Sequence, residues 1–142
     1  MSKSVRLGIG ASLPLLAHAP AGILIGTGYG GMEDSIRFLN QIVEFDEGLL
    51  TPGTFVQSTA NAIASQLGLL QHNSGYNITF VGRGVAFESA LLDASMLVTE
   101  IPGVSWLVGG IDEISAHNFR FEVAEGWYKK EDWTDRGLYD PG

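Results

Sequence analysis

The chain has 142 residues, 45% of them hydrophobic, which suits one domain with a buried core and argues against disorder. A net charge of −8, with Lys129-Lys130 an isolated basic pair beside Glu131 and Asp132, excludes a nucleic-acid surface, which needs clustered Lys and Arg. The absence of cysteine excludes a disulfide framework, a thiolate metal site and a cysteine nucleophile.

Ser4 to Ala17 reads as a small-residue helix ended by Pro20-Ala21-Gly22. Lys3 and Arg6 ahead of an apolar run imitate a signal peptide, but Gly8, Gly10 and Pro14 interrupt it, and a cytoplasmic protein is expected. No stretch reaches the ~18 apolar residues of a membrane span. Ile23 to Gly28 is a continuous apolar run closed by glycines, as in a buried parallel strand. Met32 to Phe45 follows as a helix with Glu33 and Asp34 in its first turn, the favourable end of the dipole. Gly48 to Gly53 is a loop, and Ser58 to Leu70 a second helix with Ala60, Ile63, Ala64 and Leu67 on one face.

Asn77 to Val81 is the next strand, and Val85 to Glu100 a third helix placing Phe87, Leu91 and Ala94 with Ala90 and Leu97. Val104 to Gly110 is a third buried strand, after which the periodicity decays into a polar-aromatic end. Strands alternating with helices predict an α/β fold, a mainly parallel sheet with packed helices and right-handed crossovers.

Three places invite chemistry. Gly26, Gly28 and Gly31 satisfy G-x-G-x-x-G, the dinucleotide fingerprint, between a strand and a helix. Glu33 and Asp34 would repel a pyrophosphate there, and the acids about twenty residues on, Glu44 and Asp46, end a helix rather than a strand. The alternative is a tight turn in which glycine permits close packing. His18, His72 and His117 stand far apart in loop-like contexts, none with a second ligand at zinc spacing, so no metal is expected. The strand-to-helix turn Val81-Gly82-Arg83-Gly84 has the form of a nucleophile elbow but holds no Ser, Cys or Thr. Arg83 either points into a pocket or pairs with an acid such as Glu88 or a carboxylate of another chain.

In this order the pieces resemble the β-ketoacyl-acyl-carrier-protein synthases, of the thiolase-like fold. The resemblance rests on GILIGTGYGGMEDSIRFL, on TPGTFVQSTANAIASQLGLL with Pro52, Phe55, Ser58, Asn61, Ala64 and Leu67 at P-x-x-F-x-x-S-x-x-N-x-x-A-x-x-L, on YNITFVGRGVAFESALLDA, and on VSWLVGGIDEIS. The arginine-glycine elbow and FESALLDA helix are most similar to a divergent bacterial group of aryl-polyene or flexirubin-type pigment and fatty-acid clusters. The resemblance implies a partial thiolase-like layered fold. Residues 1–128 would form a truncated N-terminal-half-like domain and 129–142 a polar tail.

The family reaction condenses an acyl thioester with a malonyl extender on acyl carrier protein. It uses a cysteine, whose place falls at Gly84 give or take one residue, and two further residues, usually histidines, of a second half that this chain does not reach; His117 matches neither. The resemblance therefore implies a chain that is non-catalytic by itself and uses no cofactor, with Arg83, Gly84 and Phe87 as elbow and pocket residues. Nucleophile-free subunits of related synthases pair with an active one and limit chain length. Acyl carrier protein and a ketosynthase subunit are thus the implied partners, in a homo- or heterodimer joined at the strand Asn77 to Val81. The competing readings are a nucleotide-binding module built on the glycine turn and a non-functional gene fragment.

Overall fold

The computed structural model describes residues 2–45 and 50–127. Its strands β1 (Gly22–Thr27), β2 (Tyr76–Val81) and β3 (Trp106–Gly110) form one parallel sheet in the order β2-β1-β3. Every residue of β1 is buried, as its uninterrupted apolar run requires of a strand covered on both faces. Gly22 stands opposite Tyr76 and Trp106, and Gly26 opposite Phe80 and Gly110. Parallel neighbours need long crossovers. Helices α2 (Met32–Glu44), α3 (Pro52–Ser58) and α4 (Ala62–Leu70) link β1 to β2, and α5 (Ala86–Glu100) links β2 to β3.

The alternation of β1 divides the core into two layers. Ile23 and Ile25 join Leu107 of β3, Val5 of α1 (Lys3–Ser12) and Ile63, Ala64 and Leu67 of α4. Leu24 faces the opposite way, onto Ala90 and Ala94 of α5, with Ile78, Phe80 and Val108 packed around them. The face of α5 is the expected one only in part: Ala90, Ala94 and Leu97 pack on this layer, but Phe87 and Leu91 do not. Ala86, Ala90 and Ala94, spaced four apart, point inward, while Phe87 and Leu91 are 44% and 49% exposed. The cause is a close approach: a Cβ on Gly26 would lie 2.6 Å from the Ala86 carbonyl and the Phe87 Cα. Where the helix starts, that near the sheet, it turns alanine toward it, and a larger side chain, Leu97, joins the layer only further along.

Further boundaries shift for identifiable reasons. Helix α1 stops at Ser12 instead of continuing to Ala17, because Pro14 cannot donate the next helical hydrogen bond. Leu16–His18 then form a separate 3-10 turn. The expected loop around Pro52 is instead the start of α3, with the proline in its first turn, where its missing N–H costs nothing. The expected helix from Ser58 is broken before Ala62: the Ser58 and Thr59 hydroxyls turn back to the Phe55 and Val56 carbonyls at 2.8 and 2.9 Å. A sixth helix, α6 (Ala116–Ala124), occupies a stretch in which no period is visible. Ser115 caps it, accepting the Asn118 N–H at 3.1 Å, and Asn118 is its one buried residue. The expected polar tail, 129–142, lies outside the described residues.

The spaced segment from Pro52 to Leu67 is structural along its length. Phe55 packs on Phe38 with ring centroids 5.5 Å apart, and the Ser58 carbonyl accepts the Ser35 hydroxyl at 2.9 Å. Asn61 accepts from the Thr79 hydroxyl at 2.6 Å and donates to the Asn77 side chain at 2.8 Å, tying α4 to β2. Ala64 and Leu67 are fully buried.

Candidate functional site at the strand-to-helix elbow

Strand β1 ends in the glycine turn, β3 ends beside it, and the elbow after β2 closes against both. Each glycine of the turn has a separate task. Gly26 admits α5, as above. The Gly28 N–H donates to Asp112 Oδ1 at 2.7 Å, and the Thr27 hydroxyl donates to the same oxygen at 2.9 Å. Gly30 and Gly31 take positive φ, 61° and 75°, which glycine adopts without a Cβ penalty. A carboxylate of this chain therefore already sits on donors that a dinucleotide motif would offer to phosphate.

The elbow is pinned to β1 through its backbone. The Gly82 N–H donates to the Thr27 carbonyl at 3.2 Å and the Arg83 N–H to the Gly28 carbonyl at 3.1 Å. Arg83 has φ 46°, a left-handed conformation that is costly for a residue with a side chain and the strained point of the turn. Gly84 has an ordinary φ, and a Cβ added there would meet nothing within 4 Å. Strain and the missing side chain thus fall on neighbouring residues.

The Arg83 guanidinium pairs with Glu125 at 2.8 Å, in place of the expected Glu88 or a carboxylate of another chain. It lies 5.8 Å from the Tyr29 ring centroid and 5.6 Å from that of Phe121, within cation–π range of both. Tyr29 donates its hydroxyl to Glu122 Oε1 at 2.7 Å. That hydrogen bond, with burial and the Glu122 charge behind it, raises the Tyr29 pKa. His117, expected in a loop, is on α6, with its Nδ1 2.8 Å from Glu33 Oε2. Burial raises the Glu33 pKa, but hydrogen bonds from His117 and Ser115 and the charges of His117 and Arg37 outweigh it, and the net shift is downward. Three side-chain links therefore hold α6 and the residue after it to the elbow, the glycine turn and α2.

These elements enclose an open cavity of about 330 Å³, lined by Gly28, Tyr29, Arg83, Gly84, Asp112, Glu113, Ile114, Asn118, Glu122 and Trp127. Of the residues singled out in the elbow, Arg83 and Gly84 face it. Phe87 does not; its side chain lies against Gly110. Glu113 and Asn118 line this cavity and a smaller one beside Ser4, Met32 and Ile63, and each buries an oxygen without a hydrogen-bond partner, Oε2 and Oδ1. Burial, then the nearby Asp34 charge, raises the Glu113 pKa. Tyr29, Glu122 and Glu125 were not legible as site residues, since their positions depend on α6. Asp112 follows Gly109-Gly110-Ile111, a turn pattern visible in the sequence, but its partner Gly28 lies 84 residues away and leaves no local signal.

His18 and His72 precede β1 and β2, at the end of the sheet opposite the elbow. Among the described residues no group of three or more His, Cys, Asp or Glu is arranged to hold a metal ion. No described helix is long and apolar enough to cross a membrane.

No protein-family model matches the chain. No curated protein matches it either. Among solved structures it is similar to one chain of the complex between the ketosynthase ApeO and its chain length factor ApeC from Xenorhabdus doucetiae, at 20% identity and a TM-score of 0.63. The match covers 73% of this chain and 42% of that one. The fold is accordingly a mixed α/β one, its parallel sheet and packed helices resembling the thiolase-like layered architecture.

Proposed function

We propose that this chain is a non-catalytic, ketosynthase-like subunit of fatty-acid, polyketide or aryl-polyene assembly, with residues 1–128 as its working unit. One observation carries the reading: a strained strand-to-helix elbow is maintained at Arg83 and Gly84 in a chain without cysteine. The similar solved structure is itself a complex of a ketosynthase with a chain length factor, which supports a role beside a second subunit. In this reading an active ketosynthase contributes the nucleophile and receives chains from acyl carrier protein. This chain contributes a wall of the acyl site and half of the interface.

The test is reconstitution. The purified chain is added to a catalytically active ketosynthase, with acyl carrier protein and malonyl donors, and products are sized by mass spectrometry. A co-eluting complex and an altered product-length distribution are expected. No complex, together with an unchanged distribution, would overturn the reading.

A further inference from the structure

We propose that α6 and the turn behind it, Ala116 to Trp127, form a lid over the elbow. The lid swings off the elbow and α2 as one unit while β1, α4 and α5 stay folded, and so opens the elbow cavity to larger groups. Asn118, Glu122 and Trp127 make the lid side of that cavity, and Gly28, Tyr29, Arg83 and Gly84 the other. Lifting α6 removes one wall and leaves the opposite one standing.

Two properties make α6 separable. Among the described residues it lends no side chain to either buried apolar cluster, and Asn118 is its one buried residue. Its side-chain links to the elbow, the glycine turn and α2 are polar: Glu125 to Arg83, Glu122 to Tyr29 and His117 to Glu33. The two ion pairs are partly exposed on both sides, and pairs of that kind add little stability and weaken in salt. Closure is also opposed. Asn118 is buried where it shares a small cavity with Gly30, Gly31 and Met32, and its Oδ1 has no donor there. The Glu113 Oε2, in the stretch that leads to α6, is buried without a donor as well. An unpaired buried acceptor costs free energy that water returns once the helix lifts.

The hinge has a definite place. The Ile111 N–H donates to the Gly26 carbonyl at 3.0 Å and Asp112 accepts the Gly28 N–H, so the chain is fixed to the sheet as far as Asp112. From Glu113 to Ser115 it forms no strand or helix, and Ile114 is exposed. Polar latches thus work against unpaired oxygens about a short irregular segment, and opening costs far less than unfolding the sheet. The lid is independent of the subunit role above, since its readout needs no partner.

Native-state hydrogen exchange of the full isotope-labelled chain, followed amide by amide by NMR, is the test. The amides of residues 119–124 should exchange through one shared opening, with protection at least about 100-fold below that of β1 and α5 and little dependence on denaturant. Tyr29→Phe with Glu125→Gln removes two latches and should speed exchange at all of these amides about tenfold. Sodium chloride at about 1 M should speed it several-fold, and under both changes β1 and α5 should keep their protection. Exchange of α6 only together with β1 and α5, a gradient of rates along the helix, or rates unmoved by both the variant and salt would overturn the proposal.

Discussion

The Oδ1 of Asp112 accepts the Gly28 N–H at 2.7 Å, so the turn after β3 is fastened to the turn after β1. The same oxygen takes the Thr27 hydroxyl. A pyrophosphate approaching this turn would have to displace a carboxylate held by two donors, with Glu33 and the buried Asp34 in the first turn of α2 behind it. NAD, NADP and ATP are therefore expected to give no heat of binding in calorimetry at micromolar protein. Micromolar affinity abolished by Gly28→Val would instead restore the nucleotide reading. Asp112→Ala should destabilise the chain by about 1–2 kcal/mol, since both donors lose a charged acceptor and water can reach only part of the site.

Gly26 and Gly84 predict opposite responses to the same substitution. Gly26→Ala drives a methyl into the Ala86–Phe87 backbone, which cannot move without lifting α5 from Leu24. A loss of about 3 kcal/mol or more, or failure to fold, is expected. Gly84→Ala adds a methyl in open space at an ordinary φ. It should be neutral or stabilise by up to about 1 kcal/mol through the unfolded chain. Thermal melts of the two variants decide; equal losses would mean that α5 does not sit against β1 as described.

The contrast shows what could be read from the residues and what could not. An uninterrupted apolar run identified β1, and acids followed by spaced apolar residues identified α2, because burial on both faces and helical periodicity leave direct marks. The inward face of α5 was legible for Ala90, Ala94 and Leu97, but periodicity also placed the large Phe87 and Leu91 on the core side. The close approach at the start of the helix demands small residues there, and these two are left half-exposed. Helix α6 left no periodic mark because polar links hold it rather than an apolar stripe: Glu122 to Tyr29, Glu125 to Arg83 from the residue just beyond it, His117 to Glu33. Such links join residues far apart in the chain, and no local pattern records them. The elbow itself was legible from its glycines, but the acids that surround Arg83 were not.

Glu113 makes stability depend on pH in a definite direction. Its folded pKa is raised above the ordinary 4.5, chiefly by burial, so the folded state holds the proton more tightly than the unfolded one. Its stabilising contribution is complete below that value and is lost as pH rises through the folded pKa. Glu113→Gln removes the charge and keeps the shape of the side chain. It should raise stability by about 1 kcal/mol at pH 7 and by nothing measurable at pH 4. Chemical denaturation of both proteins at the two pH values measures the difference; a gain of the same size at both would show that charge is not its source.

Covalent acyl transfer at the elbow should not occur. Incubation with acyl carrier protein or acyl-CoA thioesters should leave the mass of the chain unchanged, since it contains no cysteine and Gly84 has no side chain. Gly84→Cys should fold and react with iodoacetamide, because the position is open. It should still not condense acyl and malonyl groups. His18 and His72 lie at the other end of the sheet, and His117 is committed to Glu33, so no described histidine is free at the elbow to support decarboxylation. Condensation product from the isolated variant would mean that the chain carries a complete catalytic set.

Association should run through β2 and α5. In the described sheet β2 is an edge strand, and α5, the helix that follows it in the chain, leaves Leu92 65% and Met96 52% exposed, four residues apart on one face. An unpaired strand edge next to exposed apolar side chains favours contact with another chain, and burying each of these side chains is worth about 1.5–3 kcal/mol. Ile78→Asp is a poor probe of this contact. Ile78 packs with Leu24 and Ala90 inside the layer under α5, so a charge there would unfold the core whether or not a partner exists. Leu92→Glu with Met96→Glu separates the two effects, since neither side chain belongs to the buried clusters. Sedimentation velocity of the native chain should show a mass that rises with concentration. The double variant should remain monomeric, with stability within about 0.5 kcal/mol of the native chain. A native chain that sediments as a monomer at every concentration, alone and with a ketosynthase subunit, would show that this face serves no interface.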